Sequence, residues 1–186
     1  MLYFAYGSNM CLERLWKRCP SCEFESTAKL IGHSLRFNKR STDKSGKCTA
    51  FFTGNPGDFV FGAVYEILPS EKPQLDKAEG VGSGYIEHPI TVRSGDKTFK
   101  TFTYLADPEY VEDNLSPYDW YKEFVLQGAK SISLPEEYIA AIASVNARQD
   151  PNKSRADKNW AILKNSVIGR TRGERNEASV FRRFQG

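Results

Sequence analysis

Leu2-Tyr3-Phe4-Ala5-Tyr6-Gly7-Ser8-Asn9-Met10 is an apolar, aromatic run that stops at Gly-Ser-Asn and passes at once into a helical pattern. It reads as a strand, a tight turn and the start of a helix. Gly7 accepts backbone angles that other residues avoid. Ser8 or Asn9 is a candidate N-cap for a helix that begins near Met10. Several backbone N–H groups would then point into one space, an arrangement suited to a carboxylate or phosphate. An ordinary strand-to-helix turn carries the same residues, so this stretch alone leaves both readings open.

Working outward, Met10–Arg18 reads as a short helix with Leu12, Leu15 and Trp16 on one face, stopped near Pro20. Phe24–Asn38 reads as extended, and Ser41–Lys47 as a polar loop. Cys48–Thr53 and Phe59–Ile67 read as strands across a turn at Gly54-Asn55-Pro56-Gly57-Asp58. Ser70–Glu79 reads as a helix, with Ser70 as N-cap and Gly80 at its C-terminal stop. Tyr85–Arg93 and Thr98–Leu105 form a hairpin. Pro117 opens a helix that ends near Gly128, Pro135–Ala147 forms another, and Gln149–Asp157 is loop. Trp160, Leu163 and Val167 mark one more amphipathic helix. Strands fill the first half and helices the second. The fold class is α+β, a small closed or curled sheet with helices packed outside.

The chain has 186 residues, enough for one domain with a real core. We place that domain at residues 1–147. Residues 148–186 form a basic extension, partly helical and packed on the same domain. From Arg148 onward there are ten Lys/Arg against four Asp/Glu, a surplus of six, so the residues before it carry −3 of the overall +3. A basic tail can bind nucleic acid, but a solvated face or docking segment is the commoner meaning, and nucleic acid is not the expected partner. No apolar run reaches the ~18 residues a membrane span needs, and the N-terminus lacks a basic region before an apolar one. A cytoplasmic protein, with no membrane partner, is expected.

The cysteines are Cys11, Cys19, Cys22 and Cys48. Cys19-Pro20-Ser21-Cys22 is a lone C-x-x-C. It lacks the second pair of a structural zinc site, and it follows a helix rather than a strand as a redox pair would. Buried thiols are the favoured reading, and no metal is expected.

These residues also carry a family resemblance. Tyr6-Gly7-Ser8-Asn9, at the end of the first strand, resembles the YGSN signature of the γ-glutamylcyclotransferase family. Thr49-Ala50-Phe51-Phe52, Pro56-Gly57-Asp58 and Phe61-Gly62-Ala63-Val64-Tyr65 resemble its central strand pair. Leu75-Asp76-Lys77-Ala78-Glu79-Gly80-Val81 resembles its L-D-x-x-E-G-V segment. Tyr121-Lys122, Gly128-Ala129-Lys130 and Leu134-Pro135-Glu136-Glu137-Tyr138 resemble its helical half. Together, and in this order along residues 2–145, these matches are specific.

The resemblance implies a small mixed β-barrel with flanking helices. It also implies a reaction in which the α-amine of a γ-glutamyl group attacks its own γ-carbonyl, releasing 5-oxoproline and an amine. No cofactor is needed, because the nucleophile lies in the substrate and holding it folded supplies much of the acceleration. One carboxylate can take the proton from the ammonium and return it to the leaving nitrogen. By the motif match that carboxylate is Glu79. The same match places Tyr3, Phe4, Ala5, Tyr6, Gly7 and Ser8 along the substrate, and Tyr121 as a hydroxyl donor to it. The N–H groups of Gly7, Ser8 and Asn9 suit the substrate's α-carboxylate.

Two departures stand out. Ser83-Gly84 runs directly into Tyr85, where many relatives have one more residue, so no role is given to Tyr85. The basic extension has no counterpart, which leaves the leaving amine open: an amino acid, a polyamine, a lysine side chain or part of an antibiotic. A homodimer is compatible with the family and with apolar residues expected on the tail helix. A non-catalytic binding module on the same fold is the alternative from another class.

Overall fold

The computed structural model describes residues 1–173, with side chains through Lys164. Five strands close a mixed barrel: β1 (Leu2–Ala5), β5 (Phe59–Glu66), β2 (Glu23–Ile31), β6 (Tyr85–Ser94) and β7 (Lys97–Ala106). Neighbours are antiparallel except where β7 meets β1, pairing Phe102 with Tyr3 in parallel. That closure leaves no free edge and makes the barrel mixed. β3 (His33–Arg40) and β4 (Gly46–Phe52) form a separate two-stranded ribbon.

The sequence reading needs correction at several places. The extended run Phe24–Asn38 is two strands, because Gly32 turns the chain at φ +75 and separates β2 from β3. The expected central strand pair does not pair: β4 lies on β3, while β5 joins β1 and β2 in the barrel. The first helix is shorter than expected. A single 3-10 turn at Ser8–Met10 leads into α1 (Leu12–Leu15), and neither has a side-chain cap. Beyond Leu15 the chain coils in turns, with the Arg18 and Cys19 N–H groups both donating to Leu15 O at 2.8 Å. Trp16, in these turns, is 47% exposed, while Leu15 is fully buried.

α2 (Lys72–Glu79) follows a 3-10 turn at Pro69–Glu71, and Ser70 makes no cap. α3 (Asp119–Ser131) begins two residues after Pro117, whose carbonyl instead accepts from the Arg148 N–H in an extended bridge. It also runs through Gly128, and α4 follows at Glu136–Ser144. α5 (Lys153–Gly173) starts inside the expected loop. Asn152 Oδ1 accepts from the Arg155 N–H at 3.0 Å, a cap at the helix start.

The core joins barrel residues such as Phe4, Val60, Val64 and Val92 to Leu15, Leu75, Phe124 and Ile142 from the helices. Each fully buried side chain of this size contributes about 1.5–3 kcal/mol. The extension packs on α1 and α3, with Leu163 buried and Ala156, Trp160 and Ile162 against the core. Over residues 153–164 the larger apolar residues of α5 thus pack toward the core, with Trp160 and Ile162 partly buried. The side chain of Val167 and the charged stretch beyond Gly173 lie outside the described residues. Among the described residues no helix is long and apolar enough to cross a membrane.

Candidate active site

The turn after β1, the end of α2, the start of β4 and the first turns of α3 meet at one cleft of about 280 Å³, counted out to its open mouth. Tyr3, Tyr6, Gly7, Ser8, Asn9, Glu79 and Tyr121 all line it. Phe4 and Ala5 do not: both are buried in the core, and Ala5 is paired with Ala63 of β5. Tyr65 Oη donates to Met10 O at 3.0 Å and ties the turn to β5. Gly7 sits at φ −115, so its need for glycine is spatial: a Cβ there would lie 3.1 Å from Cys48 Cβ and 3.4 Å from Tyr121 Oη.

Glu79 is the last residue of α2 because Gly80 takes the left-handed conformation, φ +69, and the Val81 N–H closes back on Asp76 O at 3.1 Å. Two anchors hold this helix end. Leu75 is fully buried, and Asp76 Oδ1 accepts from Tyr104 Oη of β7 at 2.6 Å. The Glu79 side chain is 16% exposed and faces the cleft.

Its Oε1 is fixed from two sides. Asn9 Nδ2 donates to it at 2.9 Å, and the Arg18 guanidinium both hydrogen-bonds and ion-pairs with it. Arg18 Nη1 also donates to Asn9 Oδ1 at 2.5 Å, closing a triangle, and Asn9 Nδ2 reaches Tyr3 Oη at 2.9 Å. Among the described residues no donor reaches Oε2. Glu79 is also the cleft's one carboxylate among the described residues. The gathered donors therefore orient a single acid/base group and leave one of its oxygens toward the cleft.

Around it stand buried tyrosines. Tyr121 Oη accepts from the Cys48 N–H at 3.1 Å and lines the cleft. Tyr85 Oη donates to Cys48 O at 2.6 Å, and Tyr6 Oη to Tyr104 O at 2.6 Å. Burial raises all of these phenols, and the Glu79 charge raises Tyr3, Tyr6, Tyr85 and Tyr121 further, so they stay protonated donors near neutral pH. The N–H groups of Gly7, Ser8 and Asn9 have no acceptor among the described residues and border the same space.

Sequence reasoning missed Arg18, Tyr104 and Cys48, and left Tyr85 without a role. Arg18 falls in an irregular turn, where no periodicity says which way a side chain faces. Tyr85 and Tyr104 begin and nearly end one hairpin, and register 85↔106 brings them to the same barrel mouth. All four cysteines are free and buried, and burial pushes the Cys19 thiol up to about 11 and the Cys22 thiol to about 12. Among the described residues no three of His, Cys, Asp and Glu gather as a metal site.

Comparison with known proteins agrees with this architecture. A family model described as the AIG2-like family matches residues 59–142. A gamma-glutamylcyclotransferase from Bos taurus is 37% identical over 149 residues, 77% of this chain and 78% of that protein. One from Homo sapiens is 37% identical over 151 residues, with the same shares. A solved structure of a gamma-glutamyl cyclotransferase superposes with a TM-score of 0.77 at 32% identity, over 88% of this chain and 98% of that one.

Proposed function

Because this chain belongs to the γ-glutamylcyclotransferase family, we propose that it converts γ-glutamyl amides to 5-oxoproline and a free amine, as a cytoplasmic lyase of γ-glutamyl metabolism. The substrate's α-carboxylate lies on the N–H groups of Gly7, Ser8 and Asn9, and Tyr121 Oη donates to the same glutamyl group. Tyr3 and Tyr6 wall the cleft on the β1 side. Held folded, the substrate brings its α-nitrogen against its own γ-carbonyl carbon.

Glu79 Oε2 takes a proton from the α-ammonium. The freed amine adds to the carbonyl carbon, and the tetrahedral adduct collapses with cleavage of the original C–N bond. Glu79 returns the proton to the departing nitrogen and relays the second proton of the ring nitrogen the same way, so the amine leaves as an ammonium and the five-membered lactam keeps one N–H. Atoms balance without water, cofactor or metal. The observation that carries this reading is the single oriented carboxylate in a cleft otherwise lined by neutral donors.

The test is product identity. Incubation of the wild type with γ-glutamyl-alanine should release 5-oxoproline and alanine in equal amounts. Release of glutamate in place of 5-oxoproline would mean hydrolysis, and release of neither would mean a module that only binds. Either result overturns the assignment.

A further inference from the structure

The cleft continues past Glu79 into a second chamber of about 360 Å³, again counted out to its open mouth. The two share Ser8, Glu79, Tyr85 and Tyr121, and the second chamber adds Arg14, Arg18, Lys39 and Lys47. Two of these cations are neutralised: Arg18 by Glu79, and Lys47 by Asp43 at 2.8 Å. The other two are not. Arg14 gives its Nε to Ser8 Oγ and its Nη1 to Asn159 Oδ1, each at 3.1 Å, and meets no carboxylate among the described residues. Lys39 has neither an ion-pair partner nor a hydrogen-bond acceptor among them, although the residue is only 5% exposed. Its ammonium lies 4.6 Å from the centre of the Tyr85 ring and 5.8 Å from that of Tyr110. It fits there because position 84 is glycine: a Cβ at Gly84 would stand 2.6 Å from Lys39 Cε and Nζ. Burial lowers the Lys39 ammonium from its ordinary range and outweighs the charges of Glu79 and Asp43, which lie beyond ion-pair distance.

A buried cation without a partner is unfavourable unless an anion arrives. Resting on the reaction proposed above, we infer that this chamber receives the leaving group, and that Lys39 and Arg14 form a subsite for its carboxylates. The glutamyl end of the substrate is zwitterionic and brings no net charge. Two unneutralised cations are therefore matched by a leaving amine with two carboxylates, a dicarboxylic amino acid, and are repelled by a polyamine. Lys39 and Arg14 are specificity residues here, and Glu79 keeps the chemistry.

The experiment compares kcat/KM for γ-glutamyl-aspartate, γ-glutamyl-alanine, γ-glutamyl-alaninamide and γ-glutamyl-putrescine. The expected order is that order, with about tenfold or more between the aspartate and alaninamide substrates. In Lys39→Met, where Arg14 remains, the aspartate-to-alaninamide ratio should fall to about the wild type's alanine-to-alaninamide ratio, and Lys39→Arg should keep most of the wild-type value, with circular dichroism verifying the fold of each. Equal rates on aspartate and alaninamide substrates by the wild type would overturn the subsite without recourse to any variant. So would a folded Lys39→Met that loses rate on all four substrates alike, since Lys39 would then hold the glutamyl carboxylate. Absence of 5-oxoproline from all four would overturn the underlying reaction and the subsite with it.

Discussion

Asn9 donates from Nδ2 to Glu79 Oε1 at 2.9 Å, joining the turn after β1 to the end of a helix 70 positions later. The same nitrogen reaches Tyr3 Oη, and Arg18 bridges Asn9 and Glu79. The signature turn and the carboxylate are thus one hydrogen-bonded unit, and the proposed roles divide within it. The turn holds the substrate, and Asn9 and Arg18 aim the base.

Asn9→Ala should lower kcat by about tenfold to a hundredfold, because a base displaced by a fraction of an ångström loses alignment with the reacting atoms. Steady-state kinetics on γ-glutamyl-alanine check this. A variant with unchanged kcat would separate Asn9 from the orientation of Glu79.

Tyr121→Phe keeps the edge-on ring contacts with Phe37 and Trp120 but removes the acceptor of the Cys48 N–H. Leaving that buried N–H unpaired should cost about 1–3 kcal/mol in urea unfolding. Loss of the hydroxyl donor should also raise KM. Unchanged stability together with unchanged KM would contradict both roles.

Much of this was legible in the sequence, and the gaps have physical causes. Strand β1, the hairpin β6–β7 and the Gly80 stop follow from local alternation, turn chemistry and the left-handed C-cap. The resemblance of Leu75–Val81 singled out Glu79 among many carboxylates. What local pattern cannot show is partnership at a distance. The parallel Tyr3–Phe102 pairing that closes the barrel, and the docking of β4 on β3 rather than on β5, are set by packing of the whole chain. Arg18 and Lys39 were missed for a related reason. One lies in an irregular turn and the other near a strand end, so their sequence neighbours say nothing of the space they enter. Asn152 was readable as a cap, and reading it would have started α5 at Lys153.

The extension is clamped beside the site. Asp150, fully buried in its side chain, accepts from Trp120 Nε1 of α3 at 2.9 Å and from Arg155 Nε and Nη2 of α5 at 2.6 Å each. The Arg155 hydrogen bonds, chiefly, lower its carboxyl to about 2. A carboxyl depressed in the folded state contributes stability that is fully present above its unfolded value, about 4, and is lost as pH falls toward 2. Urea unfolding between pH 5 and 2 should therefore show a steeper loss for the wild type than for Asp150→Asn. Parallel curves would contradict the linkage.

The central claim is that Glu79 alone moves the proton in a lactam-forming release of amine. The most direct measurement is 5-oxoproline release from γ-glutamyl-alanine by the wild type and by Glu79→Gln, followed by NMR, with circular dichroism and thermal unfolding on both. Glutamine keeps the size of the side chain and an oxygen for Asn9 and Arg18, but it cannot shuttle the proton. We predict equimolar 5-oxoproline and alanine from the wild type, and a loss of at least about a hundredfold in a variant that folds normally. A folded Glu79→Gln that turns over at near wild-type rate would contradict the account.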